Sequence, residues 1–187
     1  MDKQSLRAEL TTARLKRARS ETAEQRGHRA EAISRMYLEL DQLRHGDPAG
    51  VPGIVASYQS LPSEPPTDVL NRGLLDSGIQ VIVPVHEVDD QLLEDMHWID
   101  LASGELVAEG GEAFRARRVA LIVTPALAIG RDGTRMGKGK GYYDRFFRGL
   151  DRYPDGPLRV AIVGPEEVFD SVPVDELDEP IDDWVIG

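Results

Sequence analysis

Residues 119–147 read VALIVTPALAIGRDGTRMGKGKGYYDRFF. The stretch opens on VALIVTP (119–125), almost continuous Val, Ile, Leu and Ala. That is the pattern of a strand buried on both faces. A glycine-rich segment follows, with Gly130, Gly133, Gly137, Gly139 and Gly141. It runs into GYYDRFFRGL (141–150), which reads as a helix. Strand, loop and helix in this order make one βα unit.

The same alternation extends in both directions. Short apolar runs recur at GIVASY (53–58), IQVIVPV (79–85), MHWI (96–99), LRVAIVG (158–164) and WVIG (184–187). Asp68–Leu75 fits a helix between the first two. Residues 2–19 read as a helix, with Leu6, Leu10, Ala13 and Arg17 on one stripe. Thr22 and Gln25 have capping-box spacing and predict a second helix. Ile33, Met36, Tyr37, Leu40 and Leu43 recur along it at helical intervals. HGDPAGVPG (45–53) breaks the pattern and separates the helical part from the strands. The reading is an α/β fold: a single three-layer α/β/α domain over 1–187, with a central, mostly parallel mixed sheet. Ligands are expected at the carboxyl ends of its strands.

Composition narrows the function. The chain has 187 residues, 41% hydrophobic and 29% charged, so it is globular rather than disordered. It has no cysteine, which excludes disulfides, thiolate metal sites and a Cys nucleophile. No apolar run approaches the ~20 residues of a membrane span, and the N-terminus has no signal-peptide apolar core. A cytoplasmic protein with no membrane partner is expected. The absence of a large apolar surface stripe points to a monomer. The net charge of −11 disfavours nucleic acid as a partner. Positive charge is nevertheless kept locally. Residues 1–30 hold eight Lys/Arg against four Asp/Glu, whereas 151–187 hold two against eleven. Arg131, Arg135, Lys138, Lys140 and Arg145 cluster in the glycine-rich segment. This pattern suits a local anion rather than a polyanion.

The loop's chemistry is that of a phosphate cradle. Gly137, Gly139 and Gly141 let backbone N–H groups approach a ligand with no Cβ in the way. The following helix N-terminus favours negative charge. Neither a P-loop nor a dinucleotide fingerprint matches: each Gly-Lys is followed by Gly, and position 142 is Tyr. Simpler roles also fit these residues. The loop could be a flexible surface loop, and Tyr142 and Tyr143 could be packing residues. Asp144 could compensate a helix dipole, and Arg7 and Arg14 could lie on a solvated face. His28, His45, His86 and His97 lack metal-ligand spacing, and no G-x-S-x-G marks a serine nucleophile.

GTRMGKGKGYYDR (133–145) resembles the signature G-x-R-[LM]-G-x-G-x-G-Y-Y-D of the 5-formyltetrahydrofolate cyclo-ligase family. Three further stretches are similar to that family in order and spacing. They are Lys3-x-x-Leu6-Arg7, the segment Tyr58–Glu64 (YQSLPSE), and Val172–Asp182 (VPVDELDEPID). The resemblance implies an enzyme that uses ATP and Mg²⁺ to convert 5-formyltetrahydrofolate into 5,10-methenyltetrahydrofolate, ADP and phosphate. It implies ATP contacts at Lys3, Gln4, Ser5, Leu6 and Arg7, and along Arg135, Met136, Gly137, Lys138, Gly139, Lys140, Gly141, Tyr142 and Tyr143. Arg135, Lys140 and Tyr143 are the implied catalytic residues. Gln59 and Glu64 would contact the folate, together with Lys138, Gly139, Lys140, Gly141 and Tyr142. Asp144 and Asp178 would hold Mg²⁺. The chain departs from the family pattern at Leu177, where His or Asn is frequent, at Ile129-Gly130, and at AEGGEAF (108–114). Two other classes fit the same residues. One is a paralogue with this ATP site acting on another formyl or carboxyl substrate. The other is a non-catalytic nucleotide-binding module.

Overall fold

The computed structural model describes residues 2–38, 53–88 and 91–187. Helix α1 (Lys3–Ser20) begins where the Asp2 carboxylate accepts the N–H groups of Gln4 and Ser5, both at 3.0 Å. Helix α2 (Ala23–Leu38) starts on a true capping box. Thr22 N–H donates to the Gln25 side chain at 2.9 Å, and Gln25 N–H donates to Thr22 Oγ1 at 3.2 Å. Leu40, Leu43 and the break at 45–52 lie outside the described residues.

The chain then runs β1 (Ile54–Ala56), α3 (Asp68–Asp76), β2 (Val81–Val88), β3 (Gln91–Asp100), β4 (Leu106–Glu109) and α4 (Gly110–Arg115). It continues with β5 (Val119–Pro125), β6 (Ala128–Gly130), β7 (Arg135–Met136), α5 (Tyr142–Arg148), β8 (Leu158–Val163), β9 (Val168–Phe169) and β10 (Asp183–Ile186). The main sheet has the order β10-β8-β5-β1-β2-β3-β4. The first five strands pair in parallel; β3 and β4 add antiparallel pairings at one edge.

Alternation along the strands builds the layers. Val55, Leu121 and Val123 join Ile33 of α2 and Leu70 and Leu74 of α3 in one core. Ala56, Ile82 and Ile122 point the other way and meet Phe114 of α4 and Phe146 and Phe147 of α5. Both faces are therefore covered by helices, as expected of a three-layer α/β/α domain with a mostly parallel sheet. On the second face Trp98, Phe114 and Phe146 form an aromatic triangle with centroids 4.8–5.2 Å apart. It fixes α5 against the sheet.

Three features were not read from the sequence. Strand β3 is ten residues long, beyond MHWI (96–99), and AEGGEAF contributes to β4 and α4. A second sheet, β7-β6-β9, has strands of only two or three residues, too short to show a period. The buried stripe of α1 also differs. It is Leu6, Leu10 and Arg14, while Ala13 is exposed. Leu6 and Leu10 pack on Leu127, Ala128, Met136 and Val172, which docks α1 on the small sheet. Arg14 is tolerated inside because Glu167, itself 1% exposed, receives its Nε at 2.7 Å and its Nη2. Arg14 Nη2 also donates to the Ala126 carbonyl at 2.6 Å.

Burial alone would raise the Glu167 pKa. Hydrogen bonding and charge from Arg14, the Gly164 N–H and a bond from Arg17 outweigh it and hold the carboxyl below its ordinary 4.5. Because the folded value is the lower one, this stabilisation is complete above the unfolded value. It is lost as pH falls through the folded value. Urea midpoints should therefore drop as pH is lowered below about 4.5. Arg14→Met removes two bonds to the buried Glu167 carboxylate, which keeps those from Arg17 and the Gly164 N–H, and should cost about 1–3 kcal/mol. An unchanged urea midpoint for this variant would contradict the account.

Candidate active site

The parallel strand β5 ends at Pro125, and the chain crosses to the small sheet before returning through the glycine–lysine loop to α5. This path surrounds a cavity of about 480 Å³. That size falls within the range of small-molecule and cofactor sites. Its wall includes Pro125, Ala126 and Leu127 at the strand end, Gly137–Tyr143 on the loop, and Arg135 and Asp144. Arg14, Leu61 and Glu64 also line it.

Arg135 is 2% exposed. Its Nη2 donates to Asp144 Oδ1, and its Nη1 reaches the Pro125 carbonyl at 3.4 Å. Nε is buried and finds no hydrogen-bond partner among the described residues. Neither does the buried Tyr143 hydroxyl, on the same cavity wall. Buried polar atoms are rarely left unpaired, so these two orphans fit a site that a polar ligand completes. Burial pushes the Tyr143 pKa far above the usual phenol range, and Glu64 adds to it against the opposing charge of Arg135. The hydroxyl therefore keeps its proton and stays a donor.

The loop geometry requires its glycines. Gly139 and Gly141 have φ values of +93° and +68°. A Cβ on Gly139 would also lie 3.4 Å from the Arg7 guanidinium. Arg7 itself donates from Nε to the Gly137 carbonyl at 3.2 Å. Lys138 pairs with Glu64 Oε1 at 2.6 Å, and Glu64 Oε2 accepts the Leu61 N–H at 2.8 Å. Lys140 is exposed on the rim, and Tyr142 stacks under Arg145 with the guanidinium 5.2 Å from its ring centroid.

The C-terminal segment comes to the same place. Glu179 N–H donates to Asp144 Oδ1 at 3.1 Å. Asp178 accepts Lys3 and the Asp175 N–H, and Lys3 also pairs with Asp175 at 2.6 Å. Burial would raise the Asp178 pKa. The bonds from Lys3 and Asp175, and the charges of Lys3 and Arg135, pull it below the ordinary carboxylate value. Asp178 is thus an anion near Arg135. Among the described residues no cluster of three or more His, Asp or Glu forms a metal cage. The hydrogen bonds these carboxylates accept fall on one oxygen each, Asp144 Oδ1 and Asp178 Oδ2. Each carboxylate keeps a second oxygen, a donor set that suits Mg²⁺, which takes one or two carboxylates and fills the rest with water and phosphate.

Not every expected residue is brought together. Leu6 and Met136 are buried in the core under α1, so their side chains do not face the cavity. Gln4 and Ser5 are exposed in the first turn of α1, where their N–H groups are held by Asp2. Gln59 is exposed and does not line the cavity; Lys3, Arg7 and Asp178 are not on its wall either, Arg7 reaching it only through the Gly137 carbonyl. Arg14 was missed as a wall residue. Its signal was present: it follows Lys3 by eleven residues and Arg7 by seven, on one face of α1. Leu61 was missed because a lone leucine in a loop carries no pattern.

Fold and cavity together define an α/β domain whose glycine–lysine loop and buried Arg135 line a cavity where its parallel strands end. The sequence model of the 5-formyltetrahydrofolate cyclo-ligase family matches residues 1–187. The chain belongs to that family, and so to the ATP-dependent ligases of the folate cycle. It is 25% identical over 198 residues to the mouse 5-formyltetrahydrofolate cyclo-ligase, covering 97% of this chain and 91% of the mouse protein. It is 31% identical over 135 residues to the Mycolicibacterium smegmatis cyclo-ligase, covering 66% of this chain and 68% of that one. In fold it resembles the 5,10-methenyltetrahydrofolate synthetase of Mycoplasma pneumoniae, with a TM-score of 0.70, 20% identity and 98% of each chain covered. The Aquifex aeolicus 5,10-methenyltetrahydrofolate synthetase gives the same TM-score at 24% identity, with 100% of this chain and 90% of that one covered. No described helix is long and apolar enough to cross a membrane.

Gly139→Ala should cost about 1–3 kcal/mol through backbone strain. Gly27→Ala, in open space on α2, should instead add roughly 0.5–1 kcal/mol. Thermal melts of the two variants should move in opposite directions. A tolerant Gly139→Ala would mean the loop does not need its left-handed turn.

Proposed function

We propose that this protein converts 5-formyltetrahydrofolate to 5,10-methenyltetrahydrofolate, using ATP as second substrate and releasing ADP and phosphate. The observation that carries this reading is the convergence of the Arg135–Asp144 pair, the glycine–lysine loop and Glu64 on one cavity. Family membership supports the substrate class.

A formamide oxygen is a poor leaving group. ATP supplies the phosphoryl group that makes that oxygen leave as phosphate once N10 closes the ring. The protein's share is positioning and charge stabilisation. N–H groups at Gly137–Gly141 cradle the phosphates, with Lys140 adding mobile charge at the rim. Lys3 and Arg7 extend the positive wall from α1. Arg135 presents a forked donor held in place by Asp144, so its charge is aimed before the substrate arrives. The protonated Tyr143 hydroxyl donates to the reacting groups. Asp144 and Asp178 would hold Mg²⁺, which offsets phosphate charge. Glu64, a carboxylate with two acceptor oxygens, suits the adjacent N–H donors of a pterin; Gln59, outside the wall, serves the folate only if its loop closes.

The test is the growth of methenyl absorbance on mixing protein, 5-formyltetrahydrofolate, Mg²⁺ and ATP. Product should require both ATP and the folate. Arg135→Lys removes a charge-assisted fork worth about 1.5–3 kcal/mol. It should lower kcat by roughly 10- to 150-fold. A folded, ATP-binding protein that forms no product would refute the reading and favour another formyl or carboxyl substrate.

A further inference from the structure

Lys138 and Glu64 both line the cavity and are joined at 2.6 Å. The two ends differ in burial: the Glu64 side chain is 8% exposed, whereas that of Lys138 is 41% exposed. Glu64 is fixed, because its other oxygen is tied to its own loop through the Leu61 N–H at 2.8 Å. Lys138 is the mobile partner, flanked by Gly137 and Gly139 and held on a four-carbon stem. Two demands therefore meet on one pair. The phosphate cradle asks for the Lys138 ammonium, while the folate asks for the Glu64 carboxylate.

We propose that the Lys138–Glu64 pair is a latch that couples the two substrate sites, so that nucleotide binding raises the affinity for folate. This rests on the reading of Glu64 as the pterin acceptor. A triphosphate offers Lys138 a stronger anion than one carboxylate. When the ammonium turns to it, Glu64 Oε1 loses its internal donor and becomes available to the pterin N–H groups. Linkage makes the effect reciprocal: folate, by occupying Glu64, releases Lys138 to the nucleotide by the same factor. The size is bounded by the pair itself. Ion pairs with one exposed partner are weak, so the coupling is roughly three- to tenfold rather than hundreds.

The experiment is isothermal titration of 5-formyltetrahydrofolate into the whole protein, with and without a saturating non-hydrolysable ATP analogue and Mg²⁺. Wild type should bind the folate three- to tenfold tighter with the analogue present. Lys138→Met should bind it more tightly than wild type without nucleotide, and the analogue should then change its affinity by less than twofold. Lys138→Arg, which can still pair with Glu64, should retain the coupling and confirms that loop packing is intact. Equal wild-type affinities with and without the analogue would overturn the latch. So would full coupling in Lys138→Met. Turnover of 5-formyltetrahydrofolate by the same wild-type preparation separates the two failures. Turnover without coupling removes the latch alone, whereas no folate binding and no turnover remove both proposals.

Discussion

A guanidinium is almost wholly buried at Arg135. Taking such a charge out of water costs several kcal/mol unless it is paired and hydrogen-bonded. Asp144 supplies the opposite charge, the Pro125 carbonyl an acceptor, and the Phe147 ring lies 5.7 Å away. Meeting those partners dictates the chain path. Strand β7 must bring residue 135 back beside the end of β5. The loop must then reverse through left-handed glycines so that the first turn of α5 presents residue 144. The Glu179 N–H on Asp144 recruits the C-terminal segment, and with it Asp178 and Lys3. One buried charge thus ties the end of β5, the start of α5 and, through Asp144, the C-terminal segment to one place.

A second buried pair does the same for α1. Arg14 and Glu167 tie the helix to the segment after β8, while Leu6 and Leu10 seat it on the small sheet. With both ends held, Arg7 lies against the Gly137 carbonyl and Lys3 against the C-terminal loop. The stability of the fold and the placement of the positive wall are therefore the same set of contacts.

The parallel core was legible in the sequence because each strand is a near-continuous apolar run, as at VALIVTP and LRVAIVG, and because Thr22 and Gln25 mark a helix start by their chemistry. The small sheet was not, since its strands are two or three residues long and their pairing is set by tertiary approach. Arg14 shows a different failure. Its charge suggests a solvated face, and only the partner 153 residues later makes its burial possible. Within the site, the glycine–lysine loop and Arg135 were readable from residue type as a phosphate cradle, whereas Asp144 read alone as a helix-dipole residue and entered the site only through the family resemblance. The burial of Leu6 was implied by its stripe with Leu10, but that of Met136 was not, because a motif names neighbours in sequence without saying which side chains face the ligand.

The central claim is that the cavity beside Arg135 is where phosphoryl group and formyl oxygen meet. A crystal structure with a non-hydrolysable ATP analogue, Mg²⁺ and 5-formyltetrahydrofolate tests it most directly. The account requires the terminal phosphate within hydrogen-bond reach of Arg135, the formyl oxygen beside it, and the pterin on Glu64 with Lys138 turned to the phosphates. A nucleotide seated away from the 137–141 loop, or a folate that leaves the Arg135 wall untouched, would contradict it.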